Sequence, residues 1–242
     1  MNQNYQPQIS EQICKIQTDK KLIALYDRLR YAACTNYAQL HAKGEYSENN
    51  RKIHSLIGIT LQDYSKGTGE QNIIARFNLE PEQIQFFLTR ITAGFQEFEW
   101  NSEKIFGEPD PQGYSTAQKF YISRHAFDKN GNPMKRPWYI QVQNGRGIKV
   151  QNANGGSYMQ GKSFTAQKTA FIQLLDMELY MLLKRADSYI TNWESWIAPS
   201  LIQNGKQMYA NQAAQRQAQK QAQNAYQNGQ IQYPAQGATY AA

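Results

Sequence analysis

The sequence predicts an α+β protein, an antiparallel sheet packed by amphipathic helices with a disordered C-terminal tail. Three observations predict it. Residues 115–164 divide into short β-like segments separated by Gly/Asn turns. Apolar residues recur at helical spacing in three places, from Asp19, from Pro81 and from Thr165. From Ile202 onward the composition collapses to Gln, Ala, Asn, Gly and Tyr, which leaves no apolar face to dock. The expected organisation is an N-terminal helical segment over 1–50, an α+β core over 51–198 and the tail over 199–242.

Each element has a local reason. Residues 1–17 are polar, and Leu22, Leu25, Tyr26, Leu29, Ala33, Tyr37 and Leu40 then fall on one face of a helix that stops near Gly44. After a loop over 43–52, residues 53–64 and 72–79 read as strands joined by a Gly-containing hairpin connection. Pro81 suits the first turn of a helix, Glu80 and Glu82 suit its positive end, and Ile84, Phe87, Leu88 and Ile91 supply its apolar face. That helix is expected to reach Gly94, with 95–100 able to continue it. Two prolines and two glycines within 106–115 divide the chain. Strands are expected over 119–127, 138–144, 148–151 and 158–164, with a kink at Gly145-Arg146-Gly147. A long helix from Thr165 follows, with Phe171, Leu174, Leu175, Leu179 and Leu182 inward, reaching Trp193 or Trp196 before Pro199. Phe77, Ile84, Phe87 and Leu88 match Phe164, Phe171, Leu174 and Leu175 at a constant offset of 87, which suggests a duplicated strands-then-helix unit.

Charge narrows the function. Residues 115–164 hold eight Lys/Arg (Lys119, Arg124, Lys129, Lys135, Arg136, Arg146, Lys149, Lys162) against the single acid Asp128, 8 − 1 = +7, the whole net charge of the protein. Elsewhere 18 basic residues balance 18 acidic ones. Tyr121, Phe127, Trp138, Tyr139 and Tyr158 run through the same stretch. Strand alternation turns Phe120, Ile122, Trp138, Ile140, Val142, Ile148 and Val150 inward. Tyr121, Ser123, His125, Tyr139, Gln141, Gln143, Lys149 and Gln151 then face outward. An ordinary sheet with one buried and one polar face would alternate in the same way. The concentration of charge is what favours a polyanion with flat bases.

Other chemistries find less support. Gly156–Ser163 matches G-x-x-x-x-G-K-[ST], and a helix is expected after it, but the preceding stretch is not a buried apolar strand. Asp176, the only Asp after an apolar run, lies inside the helix such a loop would open. His41, His54 and His125 fall in three different elements, away from any carboxylate pair or cysteine at ligand spacing. Cys14 and Cys34 form no CxxC pair and read as reduced thiols. No apolar run approaches the ~20 residues of a membrane helix, and the N-terminal residues show no signal-peptide pattern. A cytoplasmic protein without cofactor or metal, and not an enzyme, is expected.

Two segments carry a resemblance. Residues 76–88, RFNLEPEQIQFFL, resemble the strand-into-helix junction of positive-cofactor-four-type transcriptional coactivators, where a strand leads into L-x-P-E-Q and a helix. Residues 136–150, RPWYIQVQNGRGIKV, with GKSFTAQKTAFIQLL after them, are similar to a repeat of Pur-type proteins. Both families, with the plant Whirly proteins, have ββββα folds that bind single-stranded DNA or RNA on the sheet. The resemblance covers 51–195, and two of the four expected strands are visible in its first half. It implies binding by Tyr121, Arg124, Trp138, Tyr139, Arg146 and Lys149; charge and alternation add His125, Lys135, Arg136, Tyr158 and Lys162.

The expectation is a single-stranded DNA or RNA binding protein with little sequence preference. Its affinity should fall steeply with salt. A homo-oligomer is expected, with the tail available to a protein partner although it lacks an acidic tip. The rival is a structural or assembly accessory protein of a phage or mobile element. Its basic sheet would meet an acidic protein, with the helix end at Trp193 and Trp196 as the docking knob.

Overall fold

The structure, a computed structural model, describes residues 11–32 and 39–229. The chain runs β1 (Gln12–Gln17), β2 (Lys21–Arg28), β3 (Lys43–Glu48), β4 (Arg51–His54), β5 (Leu56–Asp63), β6 (Ile73–Leu79) and α1 (Pro81–Thr92). It continues through β7 (Glu97–Phe106), β8 (Ser115–His125), β9 (Trp138–Gly147), β10 (Lys149–Gln151), β11 (Ser157–Met159), β12 (Thr165–Leu174) and α2 (Asp176–Gly229). Two four-stranded antiparallel sheets result, ordered β1-β2-β5-β6 and β12-β9-β8-β7, each followed in sequence by a helix. The pairs β3-β4 and β10-β11 are small hairpins inserted between strands of these sheets. The α+β class is as the sequence predicts.

The first sheet corrects the N-terminal reading. Residues from Asp19 form β2 rather than a helix, and β1 pairs with it. The apolar residues of LIALY satisfy either period. Ile23 and Leu25 point into the core, while Ala24 is buried on the other face, in the cross-strand row Lys15–Ala24–Thr60–Arg76 between two long cations. A strand apolar on both faces mimics a helix stripe. Ala33 and Tyr37 lie outside the described residues. The domain division at 50 therefore cuts through the first sheet.

The second sheet corrects the boundaries downstream. Residues 97–100 do not extend α1; they open β7, where alternation puts Phe98 and Trp100 against the core and Glu97 and Glu99 outward. Helix α1 stops at Thr92, with Gly94 at φ +70°, a left-handed conformation that glycine adopts without a Cβ penalty. Strand β9 continues through Gly145-Arg146-Gly147 without breaking. A Cβ at Gly145 would meet the Thr165 carbonyl oxygen at 2.1 Å, so glycine lets β12 approach. Thr165–Leu174 is strand β12 rather than the start of a helix, because Ala170, Ile172 and Leu174 bury at period two. The offset of 87 accordingly sets helix residues Ile84, Phe87 and Leu88 against strand residues Phe171 and Leu174 and the linker residue Leu175, and the duplication is not confirmed.

One core joins the layers. Phe77 of β6 touches Phe120 of β8, and Phe87 of α1 meets Phe98, Trp100 and Phe120, with ring centroids 5.1–6.3 Å apart. Leu179, Leu182, Leu183, Ala186 and Ile190 bury the first half of α2. The helix then runs on through Pro199 to Gly229, where the sequence reading places a disordered tail. Beyond Leu201, the residues from 202 to 225 are exposed, Gly205 excepted. This half is helical by local propensity alone, since Ala and Gln disturb a helix little. No helix among the described residues is long and apolar enough to cross a membrane.

Candidate nucleic-acid interface

The outer face of the second sheet is built by period-two alternation in strands whose other face is core. In register, Tyr121 of β8 stands beside Gln141 of β9, which stands beside Phe171 of β12; Ser123, Tyr139 and Gln173 form the next row. Three rings consequently cross three strands. Tyr121 and Tyr139 are 6.1 Å apart and edge-on, and Tyr139 and Phe171 are 5.4 Å apart and stacked. Gln141 Nε2 donates to the Tyr139 hydroxyl at 2.9 Å, and Lys21 Nζ lies 3.1 Å from the Phe171 ring centroid. Burial raises the phenol pKa of both tyrosines, reinforced at Tyr121 by its hydrogen bond to the Glu99 carboxylate. Both hydroxyls therefore remain donors at neutral pH.

Strand β7 borders this face with acid, which the charge count over 115–164 did not include. Glu103 pairs with Lys119 at 3.3 Å, and Glu97 with His125 at 2.5 Å. The outer face is thus aromatic and amide-rich, with Lys119 and His125 each facing a carboxylate.

The remaining candidate residues go elsewhere. Trp138 is core, 1 % exposed, and donates its indole N–H to Asp176 Oδ1 at 2.7 Å. Arg124 forks onto both oxygens of Asp176 at 3.1 and 3.2 Å, and Arg136 pairs with Glu178 at 2.9 Å. Both arginines fasten the start of α2, where acids also suit the helix dipole. The hydrogen bond from Arg124 is the main cause holding the Asp176 carboxyl below its usual range. Ser123, read as outward, is on the outer face yet buried at 2 %, beneath its larger neighbours. Lys135 is exposed in the β8–β9 loop, and Lys162 follows β11 at φ +63°. Arg146 lies over the Tyr114 ring at 4.6 Å, and Lys149 Nζ donates to the Gly107 carbonyl at 2.8 Å. Tyr158 is exposed on β11. Of the eleven candidates, Tyr121, His125 and Tyr139 share the outer face.

Two other readings change. The segment Gly156–Ser163 leads into strand β12, not a helix, so no helix N-terminus faces a phosphate there. The Ser163 hydroxyl is already engaged, accepting from Ile148 N at 3.0 Å and donating to Gln160 O at 2.7 Å. His41, read as isolated, instead bonds Ser55 Oγ through Nδ1 at 2.7 Å and Glu194 through Nε2 at 2.9 Å, with Trp193 stacked on it. His41 and Glu194 are 153 positions apart in sequence, beyond any local signal. Ser55 is 4 % exposed and its hydroxyl also accepts Arg30 N–H at 3.1 Å, so the network ties α2 to the β4–β5 junction. Among the described residues no group of three or more His, Cys, Asp or Glu is placed to hold a metal.

No protein-family model, curated protein or solved structure matches this chain.

Proposed function

We propose that the protein binds single-stranded DNA or RNA with little sequence preference. The observation that carries the reading is the ring cluster Tyr121–Tyr139–Phe171, three part-exposed rings from two neighbouring rows on adjacent strands of one sheet. Stacking on such a cluster contributes ~1–3 kcal/mol per base and tolerates any sequence, because every base has a flat face. The neighbouring Gln141, Gln143 and Gln173 offer amides to base edges. The likeness to Pur-type, Whirly and positive-cofactor-four-type proteins remains part of this proposal, and four strands followed by a helix is the order it calls for. Self-association and a partner for the exposed half of α2 belong to the same proposal.

A titration of a mixed-base single-stranded oligonucleotide at two salt concentrations tests it. Binding at low salt that weakens with salt, and weakens again on Phe171→Ala, is the expected result. Absence of binding at low salt rejects the reading. In that case the second reading gains, an assembly protein with an acidic partner, favoured by Trp196, which is 86 % exposed on α2.

A further inference from the structure

The second sheet changes character within one step along its strands. The row Ser102–Phe120–Val142–Ala170 is mostly apolar and faces the core, while the row on the same face two residues further along is Lys104–Gln118–Asn144–Lys168. Strand β6, an edge of the first sheet, lies against this polar row. Asn144 accepts Arg76 N–H through Oδ1 and donates to Arg76 O through Nδ2, both at 2.7 Å, and Lys104 Nζ donates to Asn78 O at 2.7 Å. These bonds fix β6 as one wall of a cleft.

Two cavities lie along that wall, of about 560 and 1120 Å³, and Gln118 lines both. Arg76 and Lys168 line the smaller, Arg51 and Lys52 the larger. All four are exposed, and among the described residues none has a carboxylate within 4.0 Å. The acids nearby are partly committed. Glu103 is turned to Lys119, Glu80 occupies the N-cap of α1, and Asp110 holds the N–H groups of Gln112 and Tyr114 at 2.9 and 2.8 Å; Glu108 is left, and Glu48, opposite Arg51 in the β3–β4 register, stays beyond ion-pair distance of it. Two rings, Phe106 and Tyr158, stand open to solvent in the larger cavity, 46 % and 53 % exposed.

Unmatched cations beside exposed rings are what a phosphodiester chain with bases requires, and on the outer face, beside its rings, Lys119 and His125 each face a carboxylate. We propose that this cleft is a second contact for single-stranded nucleic acid. The sugar–phosphate backbone lies along β6 between the Arg76/Lys168 and Arg51/Lys52 pairs, and a base rests on Tyr158. The inference rests on the nucleic-acid reading above, and its test separates the two.

The test compares Arg76→Gln/Lys168→Gln, Arg51→Gln/Lys52→Gln, Tyr158→Ala and Tyr139→Ala with the native chain, each checked for folding by circular dichroism. Oligonucleotide affinity is measured across a salt series. Each double variant is expected to weaken binding and to flatten the log K against log salt slope by about 1.4, since each neutralised phosphate contributes ~0.7. Tyr158→Ala is expected to weaken binding without changing the slope. Unchanged affinity and slope in both double variants, while Tyr139→Ala still weakens binding, overturns the cleft and leaves the outer face standing. A native chain that binds polyglutamate but no oligonucleotide overturns both.

Discussion

Trp138 and Tyr139 are neighbours in sequence and stand on opposite faces of one sheet. On the inner face Trp138 is buried in the core beside Phe98, and its N–H is taken by Asp176. On the outer face Tyr139 is half-buried, held between Tyr121 and Phe171. The same alternation that makes a core on one side makes an aromatic platform on the other. What differs is who neutralises the cations: inner-face Arg124 and the adjacent Arg136 serve the start of α2, and outer-face Lys119 meets the acid border of β7.

The largest test of that contrast is Trp138→Ala. Truncating so large a buried side chain is expected to cost ~3–5 kcal/mol, read as a lower denaturation midpoint. Tyr139→Ala should leave that midpoint nearly unchanged and instead weaken oligonucleotide binding by ~1–3 kcal/mol, measured by fluorescence anisotropy. If the two variants exchange these effects, the assignment of faces is wrong. A smaller effect lies in acid. The Asp176 carboxyl titrates below its usual value, so its contribution to stability is full above about pH 4, near the ~3.9 of a free Asp, and is lost as pH falls through the lower folded value. Asp176→Asn should flatten the stability profile in that range, read from urea unfolding at several pH values. The smallest effect concerns the border. Glu103→Gln frees Lys119 and should tighten oligonucleotide binding by no more than ~1 kcal/mol, the upper end for an exposed pair, with the gain shrinking as salt rises. A variant that binds no tighter at low salt argues against any phosphate near Lys119.

How much of this was legible follows from the physics of each element. Strands β5 and β6, helix α1 and the inward set Phe120, Ile122, Trp138, Ile140 and Val142 follow from alternation, capping chemistry and a proline at the first turn. Strand β2 was not legible, because a strand apolar on both faces presents Leu22, Leu25, Tyr26 and Leu29 at helical spacing. Strand β12 was missed for a related reason: Ala170, Ile172 and Leu174 fit period two while Phe171, Leu174 and Leu175 fit a helix, and only the partner β9 decides between them. The candidate site suffered from counting charge along a segment. Glu97, Glu99 and Glu103 precede 115–164 in sequence and yet stand opposite His125, Ser123 and Lys119 across the β7–β8 ladder, where Glu103 takes up the Lys119 charge. Of the cleft, Arg51, Lys52, Arg76 and Lys168 lie outside the charge-rich segment altogether.

The Asn144 side chain has one more implication. By offering Arg76 both an acceptor and a donor at 2.7 Å, it supplies β6 with the partner that a further strand would otherwise provide. The first sheet ends on the Asn144 amide and, at Asn78 O, on the Lys104 ammonium, so a stray chain meets an edge already engaged and resistance to fibre growth on that side is shared by two side chains.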